Sequence, residues 1–180
     1  MFTVSFLPVF TTVHVIISLI GIGSGLVVLF GLLTAKRLDG WTAVFLASTL
    51  LTSLTGFGFP FAHLLPSHVV GLLSIVVLGV AILARYTFRL AGAWRAIYAI
   101  GAVVALYFNV FVLIVQLFQK VPALKALAPT QSEPPFAVTQ LVVLALFVAL
   151  GIAGAIKFRP DAIRTADEFR SPSQRRPVSL

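Results

Sequence analysis

Residues 9–34 read VFTTVHVIISLIGIGSGLVVLFGLLT, a continuous apolar stretch without a lysine, arginine, aspartate or glutamate. The hydrocarbon layer of a bilayer is about 30 Å thick and is crossed by roughly 20 apolar residues of an α-helix. The stretch is long enough to cross that layer, and it does not alternate in hydrophobicity as a barrel strand would. It therefore predicts a membrane-spanning α-helix.

Four further apolar stretches, at residues 41–61, 67–86, 96–118 and 136–158, carry no lysine, arginine, aspartate or glutamate in their central parts. The whole chain is 59% hydrophobic and 10% charged, with a mean hydropathy of +1.08, which lies outside the range of a soluble domain. We predict an all-α integral membrane protein, in which residues 1–158 form one bundle of five transmembrane helices. The basic tail at residues 159–180 is expected to be largely disordered.

Basic residues cluster at alternate ends of these stretches. Lys36 and Arg37 follow the first stretch, Arg85, Arg89 and Arg95 lie around the third connection, and the tail is rich in arginine. Because loops rich in Lys and Arg stay in the cytoplasm, the pattern predicts an N-terminus outside and a cytoplasmic C-terminus. Two lysines in the connection at 119–135 do not fit this orientation, because the connection is expected to lie outside. In an alternative with four spans, one of the five stretches would be re-entrant. The first stretch lacks the basic n-region of a signal peptide, so we expect it to be retained.

Composition also excludes several kinds of site. The chain has no cysteine, which rules out disulfides, thiolate metal sites, iron–sulfur clusters and covalently attached c-type haem. Its net charge of +8 comes from residues at the ends of apolar stretches and in the tail, without a basic face for nucleic acid. The lipid bilayer, with its anionic headgroups, is the expected partner.

Small and hydroxylated residues predict contacts between helices. Gly21 and Gly25 form a G-x-x-x-G pattern, which lets a neighbouring helix approach closely. Ser48, Thr52 and Thr55 fall on one face of the second helix, and each side chain can bond the carbonyl four residues earlier.

The rare polar residues gather toward the predicted outer side. His14 lies inside the first stretch, His63 and His68 flank the turn between the second and third, and Asn109 and Gln116 share one face of the fourth. These five residues predict an outer-side pocket that could bind a cofactor. The structural alternative is that His63 and His68 lie at the membrane interface, that His14 is a hydrogen-bonded core histidine, and that the two amides bond neighbouring helices.

These observations favour a non-catalytic membrane subunit or a self-associating scaffold, whose partner is a second copy or another membrane protein. The alternative is a redox protein. In it, His14 together with His63 or His68 binds haem b, or the aromatic run GFGFPF at 56–61 lines a quinone-binding site. A second alternative is an oligomeric transporter of a small solute. No serine, histidine and carboxylate triad is evident, so enzymatic catalysis is not expected.

One part of the chain shows a resemblance. It consists of YFNVF at 107–111, the helix that follows to Gln116, PAL at 122–124 and APTQSEPPF at 128–136. It resembles uncharacterised bacterial multi-pass membrane proteins of no assigned function. The resemblance implies a bacterial inner (plasma) membrane and adds no mechanism. The prolines should hold this connection rigid, so that residues 131–133 could hydrogen-bond across the mouth of the pocket. The alternative, which we favour, is a plain ordered connector.

Overall fold

The computed structural model describes residues 2–59 and 66–158, with side chains at 7–59 and 68–158. The predicted tail at 159–180 lies outside the described residues. Within the described part of the chain the structure contains helices and no strand. The helices are α1 (Phe2–Leu33), α2 (Asp39–Gly56), α3 (Pro66–Ile82) with a π-helical turn at Leu83–Thr87, α4 (Trp94–Lys120), α5 (Pro122–Leu127) and α6 (Pro134–Lys157).

Four helices are long and apolar enough to cross a membrane, at Leu7–Leu33, His68–Thr87, Trp94–Lys120 and Pro134–Lys157. This confirms the prediction of an all-helical protein and fits a membrane protein. α2 is the predicted span that is not among the four, because its serines and threonines make it less apolar. α2 ends at Gly56, whereas the predicted span ran to residue 61. Just after Gly56, backbone N–H groups bond to carbonyls three residues earlier, which ends the α-helical pattern.

α1 and α2 form an antiparallel hairpin. The turn between them has Ala35 at φ 55°, and the N–H of Lys36 bonds the carbonyl of Gly31 at 2.8 Å, which closes the end of α1. From that turn outward, matching positions face each other along the whole of α2: Gly25 with Phe45, Gly21 with Thr49, His14 with Thr55, and Phe10 with Gly58. The two helices therefore stay in contact over their shared length.

α4 is the central helix of the bundle. Its buried residues include Tyr98, Ala102 and Leu106, which pack with residues of α1, α2 and α3 in the main hydrophobic core. Small residues let α3 approach closely, since a Cβ at Gly101 would lie 3.2 Å from that of Ala81. α6 contacts α4 and α1 from the edge of this core, with Gly151 against Val103 and Gly154 against Leu32.

The connection between α4 and α6 is more ordered than a plain loop, since it contains α5, which begins at Pro122. It folds onto α4 through Gln131, whose Nε2 donates to the carbonyl of Val115 at 2.9 Å. Ser132 and Glu133 hydrogen-bond with Thr130 inside the connection. Residues 131–133 thus bond within the connection and to α4, as expected of an ordered connector.

Candidate functional site

Polar side chains mark the two ends of the bundle. The histidine end holds His14 of α1 and His68 of α3, and the arginine end holds Asp39 of α2 and Arg85 of the π-helical turn. The antiparallel order of α1, α2, α3 and α4 puts the start of α1 and the end of α4 at the histidine end.

His14 has a defined partner at the histidine end. Its Nδ1 lies 2.8 Å from Thr55 Oγ1, and the Thr55 hydroxyl lies 2.7 Å from the carbonyl of Leu51. The threonine has one proton, which it donates to that carbonyl, so it accepts the hydrogen bond from His14 Nδ1. Nε2 of the neutral imidazole is then left as an acceptor. The centre of the imidazole ring lies 5.1 Å from the centre of the Phe59 ring.

The described contacts of His68 differ from those of His14. His68 is 6% exposed, and its ring lies 5.6 Å from that of Phe57. His63 lies outside the described residues. The two described imidazoles therefore contact different phenylalanines just past the end of α2.

Asn109 lies deeper in the bundle than His14. Its Nδ2 donates to Thr49 Oγ1 at 3.1 Å, and both side chains pack against Gly21. Gly21 is seven residues along α1 from His14, or about 10 Å at 1.5 Å per residue. The bond joins α2 to α4 and is an interhelical contact of the kind that the structural alternative predicts.

Gln116 is half-buried, seven residues beyond Asn109 on α4 and so nearer the histidine end. Its side chain forms no hydrogen bond with the described residues. The four predicted site residues within the described part of the chain are therefore spread over two depths.

The predicted hydroxyl face of α2 is partly confirmed. Ser48 donates to the carbonyl of Val44, and Thr55 donates to that of Leu51, each at 2.7 Å. For Thr52 the prediction is wrong, because its buried Oγ1 has no hydrogen-bond partner among residues 2–59 and 66–158.

Sequence reasoning missed the polar cluster at the arginine end. Arg85 is 4% exposed, although it was expected to be a cytoplasmic flanking charge. Its guanidinium donates to the Asp39 carboxylate and lies 5.0 Å from the centre of the Tyr98 ring. The Tyr98 hydroxyl is 3.3 Å from Thr42 Oγ1, and Phe158 packs against the Tyr98 ring at 5.9 Å.

A signal for this cluster was present in the sequence. Asp39 is the first acidic residue of the chain, and the next one is Glu133, so Asp39 is the only carboxylate in the first four helices and their connections. A cation buried among those helices has no other acidic side chain there to pair with. The cluster ties α2, the π-helical turn and α4 together.

A cavity of about 360 Å³ lies between α4 and α6. We call it the α4–α6 groove, and its walls include Ile100, Val103 and Tyr107 of α4 and Val148, Gly151 and Ile156 of α6. Among the described residues no group of three histidine, aspartate or glutamate side chains is placed to hold a metal ion.

These contacts define a helical protein of membrane type, with polar side chains that bond one helix to the next. Comparison of the chain with protein-family models, with curated proteins and with solved structures found no match.

Proposed function

We propose that the protein is a non-catalytic subunit or a self-associating scaffold of a bacterial inner membrane. In this proposal five helices cross the membrane, with the N-terminus outside and the C-terminus in the cytoplasm. The histidine end then faces outward, and the arginine end faces the cytoplasm.

The α1–α2 hairpin supports a fifth span. α2 has 18 residues, which at about 1.5 Å each give a helix nearly as long as the hydrocarbon layer is thick. It stays in register with α1, and the hydroxyls of Ser48 and Thr55 bond its own carbonyls. That pairing lowers the cost of placing a hydroxyl in lipid.

The position of α6 carries the subunit proposal. Only 6% of its most apolar stretch is buried against the rest of the chain, whereas the figure for α4 is 44%. Its exposed face includes Ala145 and Ala149, one turn apart, and small residues at this spacing let a second transmembrane helix approach. We infer that the partner, a second copy or another membrane protein, covers this face.

The test is association in native membranes. Two differently tagged copies are co-expressed, cross-linked in the membrane and purified through one tag, and the linked proteins are identified by mass spectrometry. Ala149→Leu should reduce the yield of cross-linked partner, because the larger side chain separates the helices. Ala47→Leu, at an exposed position of α2, is the matched control. Equal yields for both variants and the wild type would contradict an α6 interface.

A redox role is the second candidate, and the hydrogen bond of His14 favours it. A histidine that binds a metal usually donates its other ring N–H to a fixed acceptor, and Thr55 accepts from His14 Nδ1 in this way. Nε2 is then the atom that would bind haem iron or accept a hydrogen bond from a reduced quinone.

The test is an absorption spectrum of protein purified from haem-supplied cells, oxidised and then reduced with dithionite. For this candidate we expect a haem band that is lost in His14→Ala and shifted in Thr55→Val. A colourless protein whose organic extract contains no quinone would exclude it.

A further inference from the structure

α1 and α4 run in opposite directions, and two contacts fix their register. A Cβ at Gly25 of α1 would lie 2.6 Å from Leu106 Cδ1 of α4. A Cβ at Gly21 would lie 3.3 Å from Asn109 Nδ2. Each residue of α1 nearer the histidine end therefore lies opposite a later residue of α4.

The same register places Gln116 opposite His14. His14 lies seven residues before Gly21, and Gln116 lies seven residues after Asn109. Seven residues are close to two helical turns, so both side chains stay on the facing sides of their helices and at one level. The charge of Lys120, one turn beyond Gln116, acts on the His14 ring, which agrees with this register.

Both side chains have unused hydrogen-bonding atoms. Nε2 of His14 is an acceptor, because Nδ1 donates to Thr55 Oγ1. Gln116 forms no hydrogen bond with the described residues, and both side chains are half-buried, so that a ligand can reach them. A ligand that offers an O–H to His14 and an oxygen to the Gln116 amide would satisfy both groups.

The surroundings of the two polar groups are aromatic and apolar. The ring of Phe59 lies 5.1 Å from that of His14 and 4.9 Å from that of Phe10. Val13 and Leu117, which are next to His14 and Gln116 in the chain, are 48% and 39% exposed. Such side chains face lipid in a membrane, so the ligand is expected to be lipid-soluble and to carry a flat ring.

We propose that His14 and Gln116 together bind the ring of a lipid-soluble quinol, the reduced form of a quinone. One ring hydroxyl donates to His14 Nε2, and the other ring oxygen accepts from the Gln116 amide. Haem iron would also use His14 Nε2, but it would leave the Gln116 amide without a partner. The inference rests on the redox candidate above, for which it names the ligand class and a second contact residue.

The hydrogen bond to His14 is tested with a matched pair of ligands. Purified protein is incubated without oxygen with a tritiated benzoquinol that carries a decyl chain. Bound label is then competed with the unlabelled quinol or with its dimethyl ether, which keeps both ring oxygens but cannot donate. We expect the wild type to bind the quinol about tenfold more tightly than the ether, which corresponds to one hydrogen bond. His14→Ala should bind the two ligands equally.

The contact with Gln116 is tested in the same assay. Gln116→Leu should weaken the binding of both ligands about fivefold, because both offer an oxygen to the amide. Gln119→Leu is the matched control, since the Gln119 amide already donates to Gln131 Oε1 at 3.4 Å, and its affinities should equal those of the wild type.

The outcomes separate this inference from the redox candidate. Equal affinity of the wild type for quinol and ether would overturn the inference, whether or not any variant folds. An effect of His14→Ala without one of Gln116→Leu would also overturn it and would leave the redox candidate in place. A haem band without quinol binding would have the same meaning. A protein that binds neither haem nor quinol would exclude both, and the subunit proposal is measured separately by cross-linking.

Discussion

The guanidinium of Arg85 donates a hydrogen bond to the carboxylate of Asp39, across 46 residues of sequence. The arginine side chain is 3% exposed and the aspartate side chain is 73% exposed. A buried cation is therefore neutralised by a carboxylate at the surface of the bundle. The pair fixes the start of α2 to the end of α3.

Loss of the Asp39 carboxylate should destabilise the protein. Asp39→Asn leaves the buried Arg85 without its counter-charge, and we expect a loss of about 1 to 3 kcal/mol in the free energy of unfolding. The figure is below that for a fully buried pair because Asp39 is open to water. The measurement is SDS-induced unfolding in mixed micelles. Arg37→Gln is the control, since Arg37 lies 3.9 Å from the same carboxylate and is itself 44% exposed. An equal loss in Arg37→Gln would contradict the special role of Arg85.

Gly25 and Gly23 should respond oppositely to alanine. A Cβ at Gly25 would lie 2.6 Å from Leu106 Cδ1 and 2.8 Å from Phe45 Cε2, so Gly25→Ala should cost about 1 to 3 kcal/mol. A Cβ at Gly23 would have no atom within 4 Å, and Gly23→Ala should be neutral or stabilising by up to about 1 kcal/mol. Both are read from the same unfolding curves. A stable Gly25→Ala protein would show that α1 does not pack on Phe45 and Leu106 as described.

The bond between Asn109 and Thr49 should appear as a coupling energy. A double-mutant cycle with Asn109→Ala and Thr49→Val is expected to give about 0.6 to 1 kcal/mol, the usual value for a hydrogen bond between transmembrane helices. The same cycle with Gln116→Ala in place of Asn109→Ala should give a value near zero, because Gln116 makes no hydrogen bond with the described residues. A coupling as large for Gln116 would place it in the same polar contact.

The Glu133 carboxylate should hold the α5–α6 connection in a pH-dependent way. Desolvation raises the pKa of this carboxyl. Hydrogen bonds from the backbone N–H groups of Thr130 and Ser132 and from the Thr130 hydroxyl lower the pKa, and their combined effect is larger than that of desolvation. The net pKa lies below the ordinary value of 4.5. Since the folded pKa is lowered, the stabilisation is complete above that ordinary value and is lost as the pH falls through the lowered pKa.

Hydrogen exchange of the Thr130 and Ser132 amides tests this dependence. Both amides donate to the Glu133 carboxylate at 3.1 Å, so their protection should decrease on acidification once intrinsic exchange rates are corrected. Thr130→Val removes one donor and should raise the pKa of Glu133 toward its ordinary value. Protection that does not change between neutral and acidic pH would contradict the assignment.

The helices could be predicted from the sequence because the signal is local. An apolar run long enough to cross a bilayer must form an α-helix whatever surrounds it, and α1, α3, α4 and α6 follow from that rule alone. The end of α2 at Gly56 and the short α5 were less predictable, since turns and one-turn helices depend on a few local hydrogen bonds.

The pairing of polar side chains was decided only by the tertiary structure. His14 and Asn109 were both expected in one outer pocket. In the structure, the register of α1 against α2 pairs His14 with Thr55, while Asn109 bonds Thr49 about 10 Å deeper in the bundle. Arg85 reads as a flanking charge until the π-helical turn brings it to Asp39 and the Tyr98 ring. The sequence by itself determined which segments are helical, because that depends on apolarity over one stretch of chain. Which polar residues meet depends on the rotation and register of several helices at once, and only the packed structure decides them.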